Sequence, residues 1–428
     1  MMEQQVIPNG YKRTELGVIP SQWDIIALGD ISVISRLAGA EYTSFWEEVP
    51  NGEIIALRGF NIGKNEIIPK KLTRISNSLS LKLKRSRLTK GDIIYPCVGS
   101  VGNATVIDED NKYHIQQNIA RITPLNSKVF PYYLSHYLMS FFGLSEIDRF
   151  VATTSQPSVL VSSLRQYRII LPSIEEQTAI ANALSDVDAL IASIEKVIAK
   201  KQAIKTASMQ QLLTGKKRLP PFDRFQTNEQ DGIRKGQPKG TKQTELGEIP
   251  EDWDFDNIDN VLSITTGGRN TQDKIADGKY PFYVRSQTIE RIHTYSFDGE
   301  GVLTAGDGVG TGKIFHYING KCDIHQRVYL MHKFSKRLHG YYFYIYFKNN
   351  FYDKVMSMTA KSSVDSVRRE MIADMPIVLP SIEEQKLISS VLSDMESELD
   401  TLEERLAKTQ QIKQGMMQEL LTGKTRLI

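Results

Sequence analysis

Parts of this chain are written twice, and that fact limits its architecture more than any other. TELGVIPSQWD (Thr14 to Asp24) returns as TELGEIPEDWD (Thr244 to Asp254), and LPSIEEQ (Leu171 to Gln177) returns unchanged as Leu379 to Gln385. The second pair continues without a gap to LLTGKKRL, ending at Leu219, and LLTGKTRL, ending at Leu427, with about half of the aligned residues identical. A repeat of this length has to be read before any local motif. Its unit is a TELGxIPxxWD opening, a variable block, LPSIEEQ and a long helical pattern. The two variable blocks, about 25–170 and 255–378, differ in length and share only fragments. Repeated flanks around dissimilar centres describe one frame carrying two different readers. Drift after a simple duplication would not spare the flanks so selectively.

The helical flanks give the clearest structural signal. Ile180, Leu184, Val187, Ile191, Ile194 and Ile198 alternate spacings of four and three, and so do Ile388, Leu392, Met395, Leu399, Leu402 and Leu406. An a/d stripe of this kind is the seam of a coiled coil. Ser173 and Ser381 are placed to act as N-caps, with Glu176 and Glu384 three residues on completing capping boxes. Gly215 and Gly423 fall where a glycine ends a helix. From cap to glycine is about 40 residues, or ~60 Å at 1.5 Å per residue. Two matched stripes are expected to pack on each other. Pattern alone leaves parallel and antiparallel pairing open, because the Gly-, Pro- and Lys-rich linker 216–242 could reach back along a helix. Antiparallel pairing needs no such return and puts the variable blocks at opposite ends of a rigid spacer, so it is the expected arrangement.

Both blocks read as mixed α/β with short strands: GDIIYPCVG, NATVID and IARITP in the first, YPFYVRS, KIFHYI and RVYLMH in the second. Each carries a Gly-Asp turn and a glycine-bearing loop. In the first these are Gly91-Asp92 and then Gly99, Ser100, Gly102 and Asn103. In the second they are Gly306-Asp307 and then Gly308, Gly310, Thr311, Gly312 and Lys313. Further on come Gln116, Gln117 and Asn118, and His325, Gln326 and Arg327. Glycines let backbone approach a ligand, and amide or guanidinium groups offer paired hydrogen bonds to base edges. Lys64, Lys70, Lys71, Arg74, Lys82, Lys84, Arg85, Arg87 and Lys90 share one stretch with Glu66 as its only acid, a composition suited to phosphate contacts. The second block offers Lys361 with Ser362, then Arg368 and Arg369.

Several other functions are excluded by what the motifs lack. The glycine loop is no P-loop: its first required glycine falls on Asp307, and Ile314 stands where Mg²⁺ needs Ser or Thr. No HExxH occurs, and Cys322, His325, His332 and His339 lack a second close ligand pair for zinc. An amino-methyltransferase tetrapeptide is missing, since Leu219-Pro220-Pro221-Phe222 has no leading Asn or Asp. No catalytic residue and no metal site is expected. With 24% charged and 40% hydrophobic residues the chain is globular, and its net charge of +3 excludes a polycation. Two cysteines exclude a disulfide framework. The opening residues show no apolar leader, and no apolar run could span a bilayer. A cytoplasmic protein is expected.

In this duplicated order the motifs resemble the specificity (S) subunit of type I restriction-modification systems, over essentially the whole length. The resemblance implies an α/β (α+β) chain with a pseudo-twofold repeat. Its parts would be a first target-recognition domain (1–170), a spacer helix (171–219), a linker (220–243), a second target-recognition domain (244–378) and a second helix (379–428), with the helices forming an antiparallel coiled coil. It further implies double-stranded DNA as ligand, each domain reading half of a bipartite asymmetric target. Two methyltransferase (M) subunits and restriction (R) subunits would be its partners. S-adenosylmethionine, ATP and Mg²⁺ would belong to those partners, leaving no cofactor in this chain. The candidate DNA contacts are Lys71, Arg74, Gly99, Ser100, Gly102, Asn103, Gln117 and Asn118 in the first domain. In the second they are Gly310, Thr311, Lys313, His325, Gln326, Arg327, Lys361 and Ser362. The alternatives are a coiled-coil scaffold without DNA readout and a self-sufficient methyltransferase, the latter disfavoured by the missing tetrapeptide.

Overall fold

The computed structural model describes residues 7–150, 158–224, 240–308, 310–357 and 366–428. They form two compact units, one of residues 1–195 with 404–428 and the other of residues 196–403. The two 40-residue helices, Ile174–Leu213 and Ile382–Leu421, each contribute to both units.

Within each unit the helix segments run antiparallel. In the first, Lys413 pairs with Asp188, and Ile180 and Leu184 share a core with Met416, Met417, Leu420 and Leu421. In the second, Lys201 pairs with Glu398 at 2.5 Å and Lys205 with Glu396 at 3.1 Å, while Leu212 and Leu213 share a core with Ile388 and Leu392. Each stripe therefore begins against the last turns of the other helix, not against the other stripe, because an antiparallel register sets first turns opposite last turns. Of the twelve stripe positions, Ile180, Leu184, Ile194, Ile388, Leu392 and Leu399 are buried, and Val187, Ile191, Ile198, Met395, Leu402 and Leu406 are half-buried. Beyond Ile198 and Leu406 the seam turns polar, through Lys201 and Lys205 on one helix and Thr409 and Lys413 on the other.

The capping boxes form only in part. Ser173 Oγ accepts from Glu176 N and Ser381 Oγ from Glu384 N, both at 3.2 Å. The glutamate side chains do not return to the caps. They turn inward to the indole and guanidinium partners described below, which hold a carboxylate more firmly than a cap N–H at the surface. Gly215 and Gly423 do sit past the helix ends with φ of +71° and +69°. A Cβ at either position would also lie within 2.6 Å of Pro250 or Pro20 respectively, so chain sense and close packing both require glycine there.

The variable blocks share one topology. In the first, β1 (Ser32–Arg36), β2 (Ile54–Leu57), β3 (Thr73–Ile75), β4 (Ile93–Pro96), β5 (Thr105–Val106), β6 (Tyr113–Ile115) and β7 (Ile119–Pro124) make sheets ordered β1-β7-β4-β5 and β3-β2-β6. In the second, β8 (Ser263–Thr266), β9 (Tyr280–Tyr283), β10 (Glu290–Ile292), β11 (Phe297–Ala305), β12 (Phe315–Ile324) and β13 (Val328–His332) make one sheet ordered β8-β13-β11-β12-β9-β10. The long β12 does the work of both β5 and β6, which joins the second unit's strands into one sheet. Each block contains a parallel pair, with Leu57 opposite Ile115 in one and Tyr283 opposite Ile324 in the other. The two Gly-Asp turns are not equivalent: Gly91-Asp92 precedes β4, whereas Gly306-Asp307 follows β11.

Candidate nucleic-acid interface

Each frame is closed by three repeated motifs meeting at one buried carboxylate. Trp23 Nε1 donates to Glu176 at 2.9 Å, and Arg426 Nε donates to the same carboxylate at 2.7 Å. Trp253 Nε1 donates to Glu384 at 3.0 Å, and Arg218 Nε donates to it at 2.8 Å. The next residue repeats the pattern: Gln177 accepts from Phe130 N, and Gln385 from His339 N, both at 2.8 Å. Antiparallel strand pairs, Asp24–Ala27 with Arg168–Leu171 and Asp254–Asn257 with Pro376–Leu379, bring TELGxIPxxWD beside LPSIEEQ. A buried ion pair satisfied on both sides fixes geometry, while losing one partner is costly.

On each frame the strand order produces a matching polar turn after the parallel strand. Gln116 N donates to Leu57 O at 3.0 Å, and His325 N to Tyr283 O at 2.9 Å. Cys97 N donates to Asn118 O at 2.7 Å, and Gly306 N to Arg327 O at 2.8 Å. Val159 N and Val367 N then cap the same two residues, Cys97 O and Gly306 O, at 2.8 and 2.7 Å. Gln116-Gln117-Asn118 and His325-Gln326-Arg327 therefore occupy one place in two copies of the fold. Gln117, Asn118, Gln326 and Arg327 are exposed there. Asn118 has φ of +63°, a conformation asparagine tolerates better than most residues.

The buried first residue of each turn is steadied differently. Buried Gln116 accepts from Arg58 Nε at 3.2 Å and donates to Glu48 at 3.2 Å and Thr73 at 3.0 Å. Buried His325 uses Nδ1 to accept from Arg327 N at 3.0 Å, which fixes the tautomer with its proton on Nε2. Burial, with Arg285 nearby, lowers the pKa of this imidazole and keeps it neutral. Arg58, Glu48, Arg285 and Asn270 escape sequence reading. Each is remote in sequence from at least one group it meets, and no local spacing marks them.

The remaining candidates divide by surroundings. Lys71 and Arg74 are exposed, and Arg74 donates to Gly52 O at 3.1 Å. Gly99 faces open space, and Ser100 beside it is half-buried. Gly102 is buried, and a Cβ there would lie 2.6 Å from Leu144. Asn103 donates to Ile62 O at 3.0 Å, tying two loops together. Gly310 is crowded by Ile314, and buried Thr311 donates to Gly308 O at 2.5 Å. Lys313 lies 4.8 Å from the Tyr352 ring centre. Lys361 and Ser362 fall outside the described residues. Of the basic stretch, Lys64, Lys70, Lys82, Lys84, Arg85 and Lys90 are exposed, whereas Arg87 is engaged with Asn77 and Asn111. Among the described residues no group of three or more His, Cys, Asp or Glu could hold a metal ion, and no helix is long and apolar enough to cross a membrane.

Comparison with known proteins agrees with this doubled architecture. The type I restriction modification DNA specificity domain matches twice, over residues 20–206 and 250–414. A putative type I restriction enzyme MjaX specificity subunit from Methanocaldococcus jannaschii is 25% identical, the alignment covering 97% of each chain. The type I restriction enzyme EcoDI specificity subunit from Escherichia coli is 27% identical across 41% of this chain and 38% of that one. Among solved structures, the type I restriction-modification S subunit from M. genitalium superposes with a TM-score of 0.61 at 12% identity, covering 97% of both chains, a likeness of fold. The chain belongs to the type I restriction-modification DNA specificity family and carries that family's domain twice.

Proposed function

We propose that this chain is the target-reading, non-catalytic subunit of a type I restriction-modification complex, each recognition domain reading one half of a bipartite, asymmetric double-stranded DNA site. One observation carries the proposal: two copies of one fold present different side chains, Gln117-Asn118 and Gln326-Arg327, at the same hydrogen-bonded turn. A frame repeated to the level of Trp, Glu and Arg needs no second copy unless the copies address different partners. Amide and guanidinium groups can tell base pairs apart in the major groove. Exposed lysines such as Lys70 and Lys71 supply affinity without sequence information.

The antiparallel helices would set the spacing between half-sites. Methyltransferase subunits would carry S-adenosylmethionine and methylate adenine, and restriction subunits would couple ATP with Mg²⁺ to cleavage. A bacterial host lacking other modification systems, expressing this chain with a type I methyltransferase subunit, tests the reading by methylation sequencing. The expected result is one motif of two unlike halves separated by a fixed gap. Methylation without sequence preference, or none, would favour a scaffold without DNA readout.

A further inference from the structure

At two matching positions of the turn the second unit carries charges where the first carries none. Asp307 accepts from Arg285 Nη1 at 2.7 Å and from Arg327 Nη1 at 2.6 Å. Asp307 and Val98 occupy the same position, each being the residue after the strand-end link and each bridged to the returning chain, at Ser366 and Ser158. In the first unit neither Val98 nor Asn118 brings a charge. The Asp307 side chain is only 18% exposed, beneath arginines that are 40% and 63% exposed. Burial raises this carboxyl's pKa, but the hydrogen bonds from both guanidiniums outweigh burial and hold it below the usual range, so it is charged at neutral pH.

The backbone beneath Arg327 is equally fixed. Its N–H donates to buried His325 and its carbonyl accepts from Gly306 N. Gln326 beside it donates to Asn270 Oδ1 at 2.6 Å. Each arginine commits Nη1 to Asp307, and among the described residues neither guanidinium makes another hydrogen bond, which leaves the Nε–Nη2 edge of both without a protein partner. Phosphate binding rewards bare positive charge and tolerates many orientations. A carboxylate beneath two arginines removes charge and fixes direction, which suits a phosphate poorly and a base edge well. Guanine presents O6 and N7 as adjacent acceptors that a two-pronged donor meets in one geometry.

We propose that Arg327 and Arg285, steadied by Asp307, are specificity-determining residues that read guanine in the half-site of the second recognition domain. This rests on the reading of the chain as a DNA-recognition subunit, and the test separates the two. The full chain, assembled with its methyltransferase partner, is used to select from a random double-stranded library at fixed salt. A wild-type complex that enriches no two-part motif overturns the DNA-recognition reading. A two-part motif with no G·C pair in the half left unaltered by Gln117→Ala overturns the guanine assignment alone.

Arg327→Lys keeps the charge and loses the fork. It is expected to reduce discrimination at one guanine on the order of ten- to a hundred-fold with an unchanged salt slope. Uniform weakening on all sequences with a shallower slope would assign Arg327 to phosphate and overturn the proposal. Arg285→Lys repeats the test at a separate site should the first variant fold poorly. Asp307→Asn removes the positioning carboxylate and is expected to relax the same guanine preference while affinity for random DNA holds or rises. An unaltered motif would overturn the part given to Asp307.

Discussion

In the first unit the exposed turn residues Gln117 and Asn118 carry no charge and stand beside a buried amide bonded to Thr73 and to the Arg58–Glu48 ion pair. In the second the same turn is ionic, with Arg327 and Arg285 over Asp307. Both units share the same closure of indole, carboxylate and guanidinium. The difference teaches where each kind of constraint acts. Residues that close the frame answer to buried partners that recur in each copy, so they are repeated. Residues on the turn answer to whatever lies outside the protein, so they diverge. The copies also differ in the seam. Asp188 with Lys413 lies beside buried His136, whereas Glu396 with Lys205 lies 3.8 Å from Lys348.

The largest expected effect grades the two closures against each other. Glu384→Ala should cost about 3–5 kcal/mol, because it removes the buried carboxylate shared by the Trp253 indole and the Arg218 guanidinium, which keeps only exposed Asp252. Glu176→Ala should cost less, since the Arg426 side chain is 32% exposed against 7% for Arg218. Urea denaturation of both variants checks the order, and equal losses would show that burial of the arginine does not set the cost.

Next in size, Gln117→Ala or Asn118→Ala should relax discrimination in one half-site only, by about 1–3 kcal/mol for each lost paired contact. Methylation sequencing that found both halves relaxed together would contradict one domain per half. Smaller still, Lys71→Ala combined with Arg74→Ala should weaken cognate and unrelated DNA alike and flatten the salt dependence by roughly two slope units. Binding measured across a salt series would show a changed target preference at constant slope if these residues read bases instead.

The smallest effect is confined to the first unit. Burial, with Lys413 nearby and Asp188 opposing, lowers the His136 imidazole to about 4. The folded state therefore holds fewer protons than the unfolded chain between pH 4 and the usual value near 6.5. Stability is present in full above that window and falls as the pH drops through it. His136→Gln should flatten the decline between pH 7.5 and 5.5 in denaturation experiments. An unchanged decline would place the pH sensitivity elsewhere.

Much of the frame was legible because it is written in local or repeated patterns. The heptad stripes marked both helices, serine marked their starts and glycine their ends. All six strand segments read from the blocks contain strands at those places, among them Ile93–Pro96 and Val328–His332. What escaped was long-range partnership. Glu384 reads as a cap residue by spacing, yet its side chain belongs to Trp253 and to Arg218, 166 residues away. Gly306-Asp307 looks like the counterpart of Gly91-Asp92, yet hydrogen bonds align it with Cys97-Val98. Of the turn residues, Gln117, Asn118, Gln326 and Arg327 stand exposed where a ligand could meet them. Gly102, Thr311 and His325 are packed inside the loops.

The sequence by itself determined that there are two copies of one frame, two long helices and two dissimilar central blocks, since periodicity and repetition act between neighbours or between copies. Tertiary structure alone decided that the helix segments run antiparallel, that each stripe begins against the other helix's last turns, and that Arg285, 22 residues before Asp307, reaches the carboxylate that also holds Arg327. The physical reason is that periodicity says only which face of a helix or strand is buried. Which partner covers that face, and which charges then meet, depends on register and chain closure over many residues, and those follow from packing the whole unit at once.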